Sequence, residues 1–363
     1  MQYLEKFDAM KFAIQECYTI DEIKPKIDEA EAIRYLLIKA KESPEFIRMA
    51  MIIKLRAERR AGYILRNLQE QSERETWGGD RKSKYKGNIL KLSDYEVTPV
   101  QSSYWQLIDY IPEDKFEGYI GTNHKREIST SGIVQLAKEL KREELRNELA
   151  RQGKDILLNE PRIQLINDDF RKVDIEENSI DLIFTDPPYT GEELDLWSDL
   201  SEFANKVLKP SSFLVTYSGH MYLPTLLNNL SKHLTYHWIF CLYHTGQIKV
   251  SLARNFVVQW KPILIFQKEP FKRMDKIVND FLSNETRQKS LHPWQQGEDG
   301  AGKLVENFSK EGDLILDPMM GSGTFPYMAY KLNRRAIGIE INQKDYWICK
   351  TRFKEQSEYK KCI

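Results

Sequence analysis

Soft metal ligands are scarce: the 363 residues include six histidines and four cysteines. Cys17, Cys241, Cys349 and Cys362 stand far apart, with no Cys-x-x-Cys pair and no histidine cluster nearby. That excludes a zinc-finger framework and a disulfide scaffold, and reads as reduced thiols with no bound metal. Charge of one sign is also missing. Lys+Arg and Asp+Glu both total 54, so a nucleic-acid function cannot be argued from net charge and any basic face must be local. No apolar run reaches the ~20 residues that span a bilayer. The opening Met1-Gln2-Tyr3-Leu4-Glu5-Lys6 lacks the pattern of a signal peptide. No membrane partner is expected, and a cytoplasmic location is. What is present is 41% hydrophobic and 11% aromatic residues, enough to bury a substantial core, so disorder is not the default.

The texture changes near residue 155, and two domains are expected, 1–150 and 151–363. The first reads as mainly helical. Ala50, Ile53, Ala57, Ala61, Ile64, Leu65 and Leu68 recur at helical spacing and predict a long amphipathic helix from about Pro44 to Gln71. The stretch Trp77 to Gly87 is polar, basic and glycine-containing, an exposed linker or a phosphate-touching loop. In the second part, apolar runs end at Ile183-Phe184, Leu214-Val215, Ile239-Phe240, Leu264-Ile265-Phe266, Ile315-Leu316 and Ile337-Gly338-Ile339. Such strand-length runs alternating with helical segments predict an α/β class: a doubly wound, mostly parallel twisted sheet whose ligand sites lie beyond the carboxyl ends of its strands.

One segment carries the cofactor expectation. A strand at Leu314-Ile315-Leu316 runs into Asp317-Pro318-Met319-Met320, then Gly321-Ser322-Gly323, then a helix beginning near Thr324. Glycines let the backbone bend sharply and approach a ligand, and the helix start offers free N–H groups to a carboxylate. A second strand ends in Glu340, nineteen positions after Gly321, close to the interval that places an acidic residue on ribose hydroxyls. The turn lacks the Gly-Lys-Ser/Thr ending of a P-loop. It also lacks the third glycine of a dinucleotide fingerprint, since Tyr327 and Met328 stand where a small residue would be needed.

Upstream, a strand ends in Asp186-Pro187-Pro188-Tyr189. Two prolines fix φ and remove two N–H donors, so the segment is a rigid turn with the Pro187 carbonyl free to accept. An exocyclic base amine is a poor nucleophile because its lone pair is delocalised into the ring. Hydrogen bonds from its two hydrogens to Asp186 and the Pro187 carbonyl would favour a pyramidal nitrogen able to attack a sulfonium methyl in line. Tyr189 offers a face on which an extruded base can stack.

Asp186-Pro187-Pro188-Tyr189 resembles the catalytic motif of amino-group DNA methyltransferases, and Asp317 to Thr324 resembles their cofactor loop. With the catalytic motif first, the chain is similar to the β-type arrangement, and its N-terminal part resembles the leading segment of phage- and mobile-element-borne methyltransferases. His292-Pro293-Trp294-Gln295-Gln296 is similar to the segment before the cofactor strand, and the likeness covers roughly residues 155–355. The resemblance implies a Rossmann-like methyltransferase fold and S-adenosylmethionine as cofactor. Asp317, Pro318, Gly321, Ser322, Gly323 and Thr324 would surround its methionine portion, and Glu340 would take the ribose. Asp169, beside Asp168, matches the position that contacts the adenine, and His292 and Gln295 would border the cofactor. The resemblance also implies a type of enzyme found in restriction-modification systems, with double-stranded DNA as partner; a homodimer is left open. Asp as the first motif residue favours adenine N6. Cytosine N4, an RNA base and a catalytically inert DNA-binding regulator remain as alternatives, whereas a protein glutamine would more often meet Asn at that position.

The interval between the two motifs is too strand-rich to hold a separate recognition domain, which moves attention to the N-terminal part. There, Thr98 with Gln101 forms a capping-box pattern and Pro99 suits a first helical position. With the short segment before it, this suggests a helix-turn-helix-like unit near 89–110. Gln101, Ser102, Ser103 and Tyr104 would face base edges or phosphates, with a plain helical scaffold as the other reading. Ser129-Thr130-Ser131 caps a further helix whose mixed charges read as a solvated face.

Overall fold

The computed structural model describes residues 2–70, 92–121, 128–244, 249–251, 254–284 and 298–359. The basic stretch 77–87, together with His292 and Gln295, lies outside the described residues. The chain divides into two compact units, Met1–Leu145 and Arg146–Ile363.

The first unit is helical: α1 (Gln2–Gln15), α2 (Ile20–Lys39), α3 (Pro44–Glu70), α4 (Pro99–Asp109), α5 (Glu113–Gly121) and the start of α6 (Thr130–Lys154). The long helix expected from Pro44 is α3, and it is the axis of the unit. Ala57, Ala61 and Leu65 face a cluster with α1, α2 and Trp105, while Met51 and Leu55 face Ile108, Phe116 and Ile133. Each fully buried Leu or Ile in these clusters contributes about 1.5–3 kcal/mol. Gly62 permits a close crossing of α3 and α4, since a Cβ there would lie 2.0 Å from the Trp105 carbonyl oxygen.

The capping box is formed: Gln101 N–H donates to Thr98 Oγ1 at 3.2 Å, and Thr98 N–H donates to Gln101 Oε1 at 2.9 Å. The element before α4 is a four-residue 3-10 helix, Leu92–Tyr95; Ser93 and Asp94 are residues whose short polar side chains compete with longer helical backbone bonding. One expectation needs correction. Ser102 does not face outward. It is buried, with its Oγ accepting from Gln106 Nε2 at 3.1 Å. Ser103 and Tyr104 are exposed.

The second unit is built on an eight-stranded sheet in the order β1-β10-β9-β2-β3-β7-β4-β8. Its strands are β1 (Ile163–Ile166), β2 (Ile180–Thr185), β3 (Leu208–Tyr217), β4 (Thr235–His244), β7 (Trp260–Gln267), β8 (Phe281–Asn284), β9 (Leu314–Asp317) and β10 (Arg335–Ile339). A separate hairpin pairs β5 (Lys249–Ser251) with β6 (Phe256–Val258). Strands β1, β10, β9, β2 and β3 run parallel, and β7 is antiparallel to both β3 and β4. Every apolar run singled out in the sequence falls within one of these strands.

Side chains alternate between the two faces as strand geometry requires. Leu182, Phe184, Val215, Ile265 and Ile315 pack on one side with α9 (Glu298–Phe308), α10 (Thr324–Lys331) and α11 (Gln343–Tyr359). Ile183, Leu214, Leu264 and Leu316 pack on the other with α7 (Leu196–Val207) and α8 (Leu223–Leu230). The helix after β2 therefore covers one face and the helix after β9 the opposite face. Adjacent β2 and β9 flank the switch point at which an open α/β sheet leaves a ligand crevice. Among the described residues, no helix is long and apolar enough to cross a membrane.

Candidate active site

Because β2, β9 and β10 are parallel neighbours, their carboxyl ends deliver Thr185-Asp186, Asp317 and Glu340 to one edge of the sheet. The Asp317 backbone carries on into a turn held by Met320 N–H to the Ile339 carbonyl at 2.9 Å and Gly323 N–H to the Met320 carbonyl at 2.8 Å. Gly321 (φ 52°) and Gly323 (φ 80°) both sit in the left-handed region that favours glycine. At Gly321 an added Cβ would meet open space. At Gly323 it would lie 2.2 Å from Cys349 Sγ on α11. The first glycine thus fronts a space, and the second lets helix α10 seat against α11.

Glu340 is buried and holds that turn from the neighbouring strand. Its Oε2 accepts the Gly321 N–H at 2.8 Å and its Oε1 accepts the Asn342 N–H at 2.7 Å. Burial raises the Glu340 pKa and these backbone donors oppose the rise. Asn167 Nδ2 donates to the Glu340 carbonyl at 2.7 Å, which brings the loop after β1 alongside. Asp169 in that loop is already engaged. Arg171 donates to both of its oxygens, Nη2 to Oδ2 at 2.6 Å and Nε to Oδ1 at 3.0 Å, and this pairing lowers its pKa.

Asp317 is the most deeply buried acid of the group, 1% exposed. Burial pushes its carboxyl up to about 8; the charges of Glu340 and Asp186 add to the push, while the Met319 amide and the neighbouring Thr185 hydroxyl oppose it. The hydroxyl falls short of a full hydrogen bond. Asp317 Oδ2 and Thr185 Oγ1 are both buried without a hydrogen-bond partner. A buried acceptor left in this way is costly unless a ligand completes it. Pro318 is buried, Ser322 is half-buried, and Thr324 Oγ1 accepts from Arg352 Nη1 at 3.0 Å.

On β2, Pro187 is buried and Asp186 is exposed, so the turn aims its carboxylate outward. The Pro188 carbonyl accepts from Trp197 Nε1 at 2.9 Å, which anchors the loop to α7. The Pro187 carbonyl accepts no hydrogen bond among the described residues. Tyr189 lies against the backbone of Gly219, where a Cβ would come within 2.6 Å of its ring, and the residue is 37% exposed. Burial lowers the pKa of His220, whose ring meets that of Trp260 edge-on at 4.6 Å.

Three participants were not evident beforehand. Lys261 at the start of β7 contacts both Asp186 oxygens, Thr185 faces Asp317, and Gly219 supports Tyr189. Lys261 stands 75 residues from Asp186 in the chain, and Gly219 carries no motif of its own. Only the pairing of β7 with β3 brings them in. Among the described residues, no cluster of His, Cys, Asp and Glu could hold a metal ion.

The N6/N4 methyltransferase family model, described as DNA methylase, matches residues 180–350, which include both loops. The chain is 29% identical over 220 residues to the type II methyltransferase M.HpaI of Haemophilus parainfluenzae, covering 49% of this chain and 69% of that protein. It is 27% identical over 233 residues to the type II methyltransferase M2.DpnII of Streptococcus pneumoniae, covering 51% and 86%. A crystal structure of an M1.HpyAVI–SAM complex aligns with 53% of this chain and 98% of its own, at 19% identity and a TM-score of 0.44. Residues 180–350, with the catalytic-type loop at one end and the glycine turn toward the other, are thus similar to the N6/N4 family of DNA methylases.

Proposed function

We propose that the protein methylates N6 of an adenine extruded from double-stranded DNA, with S-adenosylmethionine as donor. The observation that carries this reading is the convergence of Asp186, Asp317 and Glu340 at the ends of parallel strands, close enough that the charges of Asp186 and Glu340 both act on the Asp317 carboxyl.

The residues around the glycine turn suit the cofactor. Asp317 Oδ2 is buried with no hydrogen-bond partner, Gly321 borders open space, and the Glu340 carboxylate keeps lone pairs beyond those used by backbone amides. Asp317 and the Gly321–Gly323 turn would hold the amino-acid portion, and Glu340 the ribose. Asp169 would approach the adenine ring only with a rearrangement of Arg171. When bound, the cofactor supplies an electrophilic methyl group on a sulfonium.

The chain's part is to prepare and orient the amine. Asp186 and the Pro187 carbonyl accept its two hydrogens and bias the nitrogen toward a pyramidal shape. Their partial negative charge stabilises the positive charge that grows there. Asp186 is also the nearest carboxylate to the proton that the methylated nitrogen must shed. Tyr189 stacks on the extruded base, whose unstacking costs a few kcal/mol. Aspartate as the first motif residue supports adenine over cytosine, and the type II relatives support DNA over RNA.

The test is methyl transfer from labelled cofactor to mixed-sequence DNA, followed by digestion to nucleosides. The expected product is N6-methyladenine. N4-methylcytosine would reassign the base, and cofactor binding without label in any nucleic acid would overturn the reading in favour of a regulator. Asp186→Ala is expected to abolish turnover, a loss of at least about 10³-fold, while cofactor affinity stays near that of the unaltered protein.

A further inference from the structure

The carboxylate assigned to the target amine is already occupied. Lys261 Nζ lies 2.8 Å from Asp186 Oδ1 and 2.9 Å from Oδ2. The ammonium is also framed by two aromatic faces, 4.8 Å from the centre of the Tyr217 ring and 5.3 Å from that of Tyr189. The lysine side chain is 19% exposed and the aspartate 41%, so the pair sits at the rim and not in the core. Tyr189 is also the ring proposed to carry the base, so the ammonium stands where the reacting edge of that base would lie.

Two physical arguments make this arrangement incompatible with the reaction. A carboxylate that binds an ammonium through both oxygens has little capacity left to accept from an incoming amine. An ammonium left in contact with Asp186 also cancels the negative charge that would stabilise the nitrogen as it becomes cationic. A role for Lys261 as a donor to the ring nitrogen beside the amine fares no better, because it would draw electron density away from the nucleophile.

We propose that Lys261 is a displaceable occupant of the target-amine site: its ammonium holds Asp186 and the faces of Tyr189 and Tyr217 when no base is present, and withdraws from Asp186 as the base enters. This rests on the methylation reading above. It makes base entry an exchange in which one nitrogen donor replaces another on the same carboxylate. Both partners are partly exposed, so their pairing is weak enough to be broken by a base that also gains stacking.

The consequence is a rank order opposite to that of a supporting residue. Lys261→Met keeps the length and removes the charge, so it should raise kcat/KM for DNA by about threefold to tenfold. Lys261→Gln should follow it in direction and guards against a packing effect peculiar to methionine. Lys261→Arg presents a two-pronged donor that grips a carboxylate more firmly, so it should lower kcat/KM by about tenfold. The experiment measures kcat and KM for DNA with the full-length chain and labelled cofactor, alongside cofactor affinity and melting temperature. The order Met and Gln above Lys above Arg supports the proposal. Rescue by Arg with a loss in Met and Gln overturns it and makes Lys261 a positioning residue for Asp186. Equal rates in all four overturn it as well. If the unaltered protein transfers no label to DNA, the functional reading fails and this inference fails with it. If label is transferred and the order is reversed, only this inference fails.

Discussion

The Gly321 N–H donates to Glu340 Oε2 at 2.8 Å, tying the glycine turn after β9 to the end of β10. The same carboxylate takes the Asn342 N–H on its other oxygen, so one buried acid orders the turn and starts the loop into α11. Glu340 therefore shapes the glycine turn whether or not it also meets a ligand.

Glu340→Gln tests this double duty. A glutamine keeps one acceptor and turns an NH₂ toward one of the two amides, so a backbone donor is left unsatisfied at a cost of about 1–3 kcal/mol. The expected result is a lower melting temperature together with at least tenfold weaker cofactor binding by titration calorimetry. Weakened binding at unchanged stability would assign the carboxylate to the ligand alone.

The two glycines of the turn should respond differently. Gly321→Ala meets no neighbour and suffers only the left-handed backbone, about 1–2 kcal/mol. Gly323→Ala adds a collision with Cys349 Sγ, and overpacking of that kind costs about 1–3 kcal/mol more. Urea denaturation of both variants should place Gly323→Ala well below Gly321→Ala. Introducing Cys349→Ala should recover part of the loss in the former and none in the latter.

The contrast between Asp317 and Lys261 explains how much could be read in advance. Strands β2, β9 and β10 were legible because their apolar runs are short, β-branched and closed by an acid or a proline, and parallel pairing then sets their carboxyl ends together. Helix α3 was legible from its spacing alone. The short β1 and β8 passed unnoticed, since four residues without a motif look like any loop. A cap fixes where a helix starts but not how it rotates, so the capping pattern leaves the facing of Ser102 open, and buried Trp105 three residues later settles the inward face. Lys261 depends on an antiparallel pairing of β7 with β3, a long-range contact that no local pattern encodes.

The N-terminal unit separates a cap from a contact. Gln101 is half-buried and spends its carbonyl oxygen on the Thr98 amide, so Gln101→Ala should cost about 0.5–2 kcal/mol of stability and leave DNA site preference unchanged. Tyr104 is exposed, with Lys138 Nζ 5.7 Å from its ring centre. If this face meets DNA, Tyr104→Ala should weaken DNA binding by at least about threefold without lowering the melting temperature. Loss of affinity in the glutamine variant alone would reverse the assignment.

The last prediction concerns pH and follows from Asp317. In an unfolded chain this carboxyl ionises near its ordinary value of 3.8, whereas burial in the fold raises it to about 8. Between those limits the folded protein holds a proton that the unfolded chain has released, so stability falls as pH rises from about 4 to about 8. The slope approaches about 1.4 kcal/mol per pH unit in mid-window, and flattens once both states are ionised or both protonated. Asp317→Asn should remove this component, so the stability difference between the unaltered protein and the variant should shift steadily in the variant's favour from pH 5 to pH 8. A cationic ligand group seated on Asp317 would favour the ionised form. Cofactor binding below about pH 8 should then release a proton, read as a binding enthalpy that differs between buffers of different ionisation enthalpy. A stability difference that stays constant with pH, joined to a buffer-independent enthalpy, would mean that Asp317 is already charged in the folded chain at neutral pH.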